Sequence, residues 1–349
     1  MRLFRRLFGG AGAAAAPLCA TLDLDDPRVS ADPFPWYERL RAEGDVVYLE
    51  RHRFWLVLSN DAAREVFSRP DLFSSAPYDF VDTAMLSVDP PLHGPVRRVV
   101  ARSFGGETLR RLEAEAAGLA AALLPDALAA IERAEEEAAE SEAPFPLIVA
   151  AIDSVAPQAA LAGRLLEDGA GLIAQEDALS LVRLLWLAST ATTERTIGHC
   201  LLRLVEDSGL LRRLAAEPTL VPAFVEEVLR LTPPENLIQR RAVADASIDG
   251  RAVRAGDLVQ ICLPAANRDP AHYDVPDELR LDRAAAANLS FGSGIHQCVG
   301  GPMTRRVVAA AVAAFVQRFG DLAPLRLAGE VKWVHAMVVC APREFRIAR

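Results

Sequence analysis

The feature that most constrains this chain is an eleven-residue stretch near its C-terminal end, Phe291-Gly292-Ser293-Gly294-Ile295-His296-Gln297-Cys298-Val299-Gly300-Gly301. Glycines at 292, 294, 300 and 301 let the backbone take positive φ or come close to a flat ligand. Pro302 suits the first position of a helix, and an apolar run through Val307, Val308, Ala311, Val312 and Phe315 carries that helix to Phe319 and Gly320. Cys298 therefore stands in a glycine-rich turn just ahead of a helix start. A thiolate there meets the positive end of the helix, which is expected to lower its pKa and to favour a metal bond over a proton.

The other cysteines narrow the choice of metal. Cys19, Cys200, Cys262 and Cys340 are widely spaced and none pairs with Cys298 at CxxC distance, so zinc and iron–sulfur readings fail. An odd number of scattered cysteines is no disulfide framework, and a reducing cytoplasm is expected. One axial thiolate in an otherwise apolar chain fits haem iron. A free cysteine that merely packs is the rival reading, and the glycines and His296 weigh against it. The segment resembles the haem-binding loop of the cytochromes P-450, the haem-thiolate monooxygenases, whose pattern is Phe-Gly-x-Gly-x-(His/Arg)-x-Cys-x-Gly. Its fixed positions stand here as Phe291, Gly292, Gly294, His296, Cys298 and Gly300. Further matches spread from about Asp32 to the C-terminus. The resemblance implies haem b (iron protoporphyrin IX) with Cys298 as axial ligand, in a mainly α fold with small peripheral β-sheets.

Composition is compatible with this. The chain has 349 residues, 51% of them hydrophobic and 24% charged, enough to bury a large core. A net charge of −9 argues against nucleic acid as a partner, and no long apolar stretch follows the N-terminus that would span a membrane. Basic character is almost all arginine, Lys332 being the only lysine. Arg2, Arg5 and Arg6 ahead of an Ala/Gly run faintly imitate a signal peptide, but the run is weak for an h-region and Cys19 lacks a lipobox. Residues 1–25 are expected to be a disordered tail, and 26–349 a single haem domain.

Along the chain, Asp32–Glu43 suits a proline-led helix, Val46–Leu49 and Phe54–Leu58 read as strands, and Asp61–Phe67 as a short helix. Another helix begins at Arg97–Phe104, and Leu109–Glu140 is strongly biased to helix, broken at Pro125. Leu181–Leu204 is a long apolar helix that must lie inside the protein. Val221–Leu231 is a helix stopped by Pro233 and Pro234. Short strands are expected at Leu237–Ala242, Ser247–Ile248, Leu258–Cys262, Val331–Cys340 and Phe345–Ile347.

Other motifs extend the resemblance. Glu227 and Arg230 lie three apart on one helical face and match the family's Glu-x-x-Arg pair, which an arginine upstream of the haem loop, here Arg283, joins. The implied role is structural, an ion network that fixes the loop carrying the thiolate. Asp89-Pro90-Pro91-Leu92-His93 followed by Arg97 resembles the family's Asp-Pro-Pro-x-His-x-x-x-Arg. His93, Arg97, Arg240 and His296 fall at its propionate-binding positions, where cations with directional donors suit carboxylates; Arg241 is the rival to Arg240. Ala265-Ala266-Asn267-Arg268-Asp269-Pro270 is a further structural signature.

Two departures bear on the reaction. Where the family has Ala-Gly-x-(Glu/Asp)-Thr-Thr, this chain reads Ala188-Ser189-Thr190-Ala191-Thr192-Thr193. Thr192 is kept, and its hydroxyl could bond a carbonyl four residues back and hold the water that relays protons. The acid that normally feeds that relay has become Ala191. Only 83 residues separate Phe104 from Ala188, fewer than the family usually has, so the F–G lid over the substrate is expected to be shortened; Leu147–Leu166 supplies at most one helix of it. The leading expectation is an O2-dependent monooxygenase acting on an organic substrate, with peptide and carrier-bound substrates among the candidates. Electrons come from a separate ferredoxin or flavodoxin-type donor, steered by Arg102, Arg305 and Arg306. The alternatives are a non-hydroxylating coupling or cyclisation of a peptide or carrier-bound substrate, and a haem-binding recruitment module without turnover.

Overall fold

The computed structural model describes residues 16–78, 85–103, 175–283, 288–322 and 324–348, with isolated positions between 104 and 174. Three segments with 3.6-residue apolar spacing form its main helical core. In α6 (Gln175–Glu206) the buried positions Ile197, Cys200, Leu201, Leu204 and Val205 recur at helical intervals. In α8 (Val221–Leu231), Pro222 starts the helix, Phe224, Val225, Val228 and Leu229 are buried, and the chain stops before Pro233-Pro234. In α10 (Gly301–Phe319), Val308, Ala311, Val312, Phe315, Val316 and Phe319 form one buried stripe. These faces close on one another in a single cluster, each fully buried large side chain stabilising by about 1.5–3 kcal/mol. At the end of α10, a Cβ on Gly320 would overlap Ala215 of α7 (Ser208–Ala216), so the two helices meet almost backbone to side chain.

A mixed sheet lies beside this core, with strand order β1-β2-β7-β4-β3. Here β1 is Val46–Leu49, β2 Phe54–Val57, β3 Phe73–Ser74, β4 Leu237–Ala242 and β7 Leu258–Cys262. Strands β1 and β2 form an antiparallel hairpin, β2 runs parallel to β7, and β4 is antiparallel to both β7 and β3. Period-two alternation divides the side chains between two cores: Val57, Val259 and Ile261 on one face, Leu49, Leu56 and Cys262 on the other. Smaller pairs are β5–β6 (Ala246–Ile248, Arg251–Val253), β8–β11 (Arg326–Leu327, Ile347–Ala348) and β9–β10 (Lys332–Ala336, Val339–Glu344). The fold is therefore mainly helical with small sheets.

Three expectations need correction. The stretch 331–340 is two antiparallel strands, since Ala336 pairs with Val339 and the chain reverses at Met337-Val338. Strand β6 was not foreseen as the partner of Ser247–Ile248. Residues 18–25 are no tail: α1 (Leu18–Thr21) is held by Glu43, which accepts the N–H groups of Leu18 and Cys19, and Leu22 and Leu24 are buried. Residues 1–15, the expected Leu109–Glu140 helix apart from isolated positions, and Leu147–Leu166 lie outside the described residues. Among the described residues no helix is long and apolar enough to cross a membrane.

Candidate functional site

The Cys298 loop is closed by its own backbone. Gly292 N–H donates to Leu289 O at 2.7 Å, Gln297 N–H to Gly294 O at 3.1 Å, and Cys298 N–H to Phe291 O at 2.8 Å. Gly292 and Gly294 take the left-handed region, with φ of 65° and 72°. At Gly294 the requirement is double, since a Cβ would overlap the carbonyl oxygen of Phe67 at the end of α4 (Asn60–Ser68). Gly300 and Gly301 serve otherwise. Gly300 is right-handed at φ −81°, and a Cβ on Gly301 would press the Phe291 ring at 3.3 Å.

Cys298 stands three residues ahead of α10, partly open to solvent. Desolvation by surrounding protein atoms raises its thiol pKa; the Gly300 and Gly301 N–H groups and the charges of Arg97 and Arg305 pull it down. Desolvation wins, so the depressed value expected from the helix start is not what the protein alone produces. The helix-start donors act in the expected direction but do not prevail.

Imidazoles and guanidiniums gather beside the loop. The rings of His93 and His296 lie 4.2 Å apart. His93 heads α5 (His93–Ser103), and Arg97, one turn on, donates to the Gln297 carbonyl next to Cys298. Arg240 is buried, lies over the Phe67 ring at 5.5 Å, and donates to Gln239 O. Arg241, one residue on along β4, points outward and bonds Gly256 O. Strand alternation thus puts Arg240, and not its neighbour, with the two histidines. Asp89 sits among these cations, accepting from Ser74 Oγ at 2.5 Å and contacting His296 Nε2 at 3.2 Å. Burial, then Arg240 and His93, depress His296 to about 4 against the pull of Asp89. Burial and Arg97 depress His93. Burial likewise lowers Arg97 and Arg240.

This donor set fits a haem. Two carboxylates would be met by Arg97, Arg240 and the two histidines. The Nε2 atom of His93 is buried without a hydrogen-bond partner among the described residues, as expected of a group whose acceptor is a ligand.

A second network holds the loop from behind. Arg230 grips Glu227 through two bonds, 2.7 and 2.9 Å, and donates to the carbonyls of Asn267, Pro276 and Glu278. Arg283 Nε donates to Glu227 Oε2 at 3.2 Å and its terminal nitrogens to Asp274 O and Val275 O. Both members of the Glu227–Arg230 pair are almost fully buried, a cost offset by these additional donors and acceptors. Asn267 then reaches the cysteine loop through Leu289 N–H and Ser290 Oγ.

On α6, Thr192 Oγ1 donates to Ala188 O at 2.6 Å and Thr196 Oγ1 to Thr192 O at 2.8 Å, a row of back-bonded hydroxyls on one face. Arg195, one turn from Thr192, pairs with Glu235 at 2.7 Å. Sequence reasoning assigned no role to Phe67 or the Arg195–Glu235 pair, none to Asp89 beyond its place in a motif, and to Asn267 only a general structural one. Asp89 had a signal, standing four residues before His93 in one motif; Phe67 and Glu235 had none, because their partners are distant in sequence.

Residues 156–340 match the family described as Cytochrome P450. The chain is similar to the cytochrome P450 monooxygenase PikC of Streptomyces venezuelae, 31% identical over 386 aligned residues that take in 92% of each protein. It is 30% identical over 168 residues to the polyketide biosynthesis cytochrome P450 PksS of Bacillus subtilis, 48% of this chain and 42% of that one. Among solved structures, CYP109E1 from Bacillus megaterium in complex with testosterone superposes with a TM-score of 0.77 at 22% identity, covering 92% of this chain and 98% of the other.

Proposed function

The chain belongs to the cytochrome P450 family, and from that premise we propose a haem-thiolate monooxygenase of secondary metabolism, holding haem b through Cys298 and oxidising an organic substrate. The observation that carries this is the meeting of His93, Arg97, Arg240 and His296 beside the Cys298 loop. Haem b supplies the activation of dioxygen, one oxygen atom entering the substrate and the other leaving as water with two electrons and two protons. Cys298 would hold the haem iron, and Phe291, Gly292 and Gly294 shape the loop that presents it. A Cβ on Gly300 would make only ordinary contact with the Cys298 sulfur, at 3.9 Å, so the protein itself sets no steric demand for glycine there. Arg97, Arg240, His93 and His296 would bind the propionates. Glu227, Arg230 and Arg283 fix the loop and touch no reacting atom. Thr192 holds a water on α6.

Electrons reach the site from a separate ferredoxin or flavodoxin-type protein in the cytoplasm, and the exposed Arg102 at the end of α5 suits an acidic carrier. The name of PksS supports a substrate from secondary metabolism. A shortened cover over that substrate is part of this reading, because only 83 residues separate Phe104 from Ala188. On this reading the haem domain begins by Leu18, whose helix is tied to Glu43, rather than at residue 26.

The test is spectral. The reduced carbon monoxide complex of the wild type should show the thiolate-ligated band that gives the family its name, and Cys298→Ser should abolish it. A wild-type protein that purifies without haem after supplementation would refute the assignment.

A further inference from the structure

We infer that Glu235, paired with Arg195, supplies protons to the Thr192 hydroxyl row, in place of the acid absent at Ala191. The inference rests on the proposed monooxygenase reading, and three observations support it. First, the hydroxyl protons of Thr192 and Thr196 are committed to carbonyls on their own helix, so each oxygen is left as an acceptor that needs a donor nearby. Second, Arg195 stands three residues after Thr192 and one before Thr196, and its guanidinium brings the Glu235 carboxylate to this part of the helix. Glu194, adjacent in sequence, is about 200° away from Thr192 around the helix. Third, Glu235 is held in place. Arg195 also donates to Pro234 O at 3.2 Å, while Asn236 donates to Val338 O and accepts from Leu263 N–H, pinning the segment that leads into β4.

A proton donor for such a row must hold its proton near neutral pH and recover it from solvent. The Glu235 side chain is 38% exposed, so water reaches one edge. Burial of the remainder raises its pKa, and Arg195 opposes that rise through its charge and its hydrogen bond. Among the described residues, Arg195 from α6 faces it, as does Tyr78 from the turn Ala76–Tyr78, whose phenol feels the Glu235 charge; the β9–β10 hairpin places the Val338 carbonyl against the adjoining Asn236 N–H. In each cycle the acid gives a proton to the relay, becomes a carboxylate held by Arg195, and takes a proton back from water at its exposed edge. Two protons and two electrons per dioxygen balance when a substrate takes one oxygen atom; without substrate, release as water takes four of each and release as hydrogen peroxide two, the electrons coming from the redox partner.

The experiment uses the haem-loaded full chain with no organic substrate added, NADPH reducing dioxygen through a surrogate plant-type ferredoxin and its reductase. It reads the rate of dioxygen consumption and the share leaving as water rather than hydrogen peroxide across pH, and in parallel the protonated-carboxyl stretch in pH-difference infrared spectra. In the wild type, consumption should fall as pH rises through the infrared titration of the carboxyl. Glu235→Gln keeps the shape; it should retain the reduced carbon monoxide spectrum, lose that infrared band and the pH limb, and consume dioxygen about tenfold more slowly. A positioned general acid contributes about 10²–10⁴-fold, and bulk water bypasses part of that. Arg195→Gln removes the cation that pulls the carboxyl down, so band and limb should move together to higher pH, a change that a packing defect does not produce. Unaltered rate and pH limb in Glu235→Gln with an intact spectrum would overturn the inference, as would Arg195→Gln leaving band and limb in place. Should Glu235→Gln fail to fold, the Arg195→Gln shift decides alone. A wild type without the carbon monoxide band would refute the monooxygenase reading itself, and this inference with it.

Discussion

Asn267 Oδ1 accepts the backbone N–H of Leu289 at 2.7 Å, two residues before Phe291 opens the cysteine loop. The carbonyl of the same residue accepts from Arg230, and its Nδ2 donates to Ser290 Oγ, which itself donates to Leu229 O on α8. One buried amide thus joins the Glu227–Arg230–Arg283 network to the segment that carries Cys298. The ion network sets where the loop starts without reaching the metal position.

Asn267→Ala should therefore loosen the loop while leaving the ion network itself in place. It strands the Leu289 N–H, and a buried donor without an acceptor costs about 1–3 kcal/mol. We expect a lower denaturation midpoint and faster haem loss at elevated temperature, with a normal carbon monoxide spectrum before heating. Thermal unfolding followed by dichroism and by haem absorbance checks both, and wild-type haem retention would detach Asn267 from the loop.

Much of this architecture is legible in the residue order, for reasons that can be named. Helix α8 is bounded as expected because its apolar period, Pro222 and the Pro233-Pro234 stop all agree. The β9–β10 turn was hidden because Met337 and Val338 are apolar and pack against the core, where a turn signal would be glycine or asparagine. Leu22 and Leu24 looked like tail residues because they stand among aspartates, and only Glu43 and the sheet give them a place. Arg240 and Arg241 could not be told apart until strand register turned one inward. The Glu235–Arg195 pair spans two elements far apart in sequence, which no local pattern reveals.

Restoring the family's acid next to Thr192 offers an independent check on proton supply. Ala191 is half-buried on α6, so Ala191→Asp fits without entering the core. It should raise the share of dioxygen leaving as water in the assay described for Glu235, and should rescue Glu235→Gln. The single variant gains less than the full 10²–10⁴-fold of a general acid if Glu235 already contributes. Thr192→Ala should lower that share in either background. No gain in a folded Ala191→Asp protein would point to chemistry that needs no such relay, including the coupling or cyclisation alternatives.

His199 predicts how stability responds to acid. It is buried, its Nε2 bonds the Cys340 carbonyl at 3.0 Å, and burial lowers its pKa from 6.5 to about 4. The unfolded chain therefore takes up a proton below about pH 6.5 that the folded chain refuses until about pH 4. Stability is complete above that window and is lost as pH falls through it, by about 3 kcal/mol for this group. His199→Gln retains a donor to Cys340 and removes the titration. Urea unfolding at about pH 7 and about pH 4.5 should show a smaller acid penalty in the variant; equal penalties would show that His199 is protonated at its ordinary pKa.

A shortened cover, as proposed, would decide which ligands bind tightly. An enclosed pocket buries 70–90% of a small ligand, and each 100 Å² of apolar surface left in water forfeits about 2.5 kcal/mol, or ~70-fold in Kd. Only 83 residues stand between Phe104 and Ala188, and a cover built from them would have less chain to close over a small molecule. Small terpenes, fatty acids and phenols should bind weakly, whereas bulky peptides or carrier-loaded acids bring their own covering surface and should bind more tightly. Type I spectral titrations of both sets, with the oligomeric state measured alongside, decide the point. Submicromolar binding of a small free molecule to the monomer would mean that the shorter chain still closes the pocket, and would turn the search for the substrate back to small compounds.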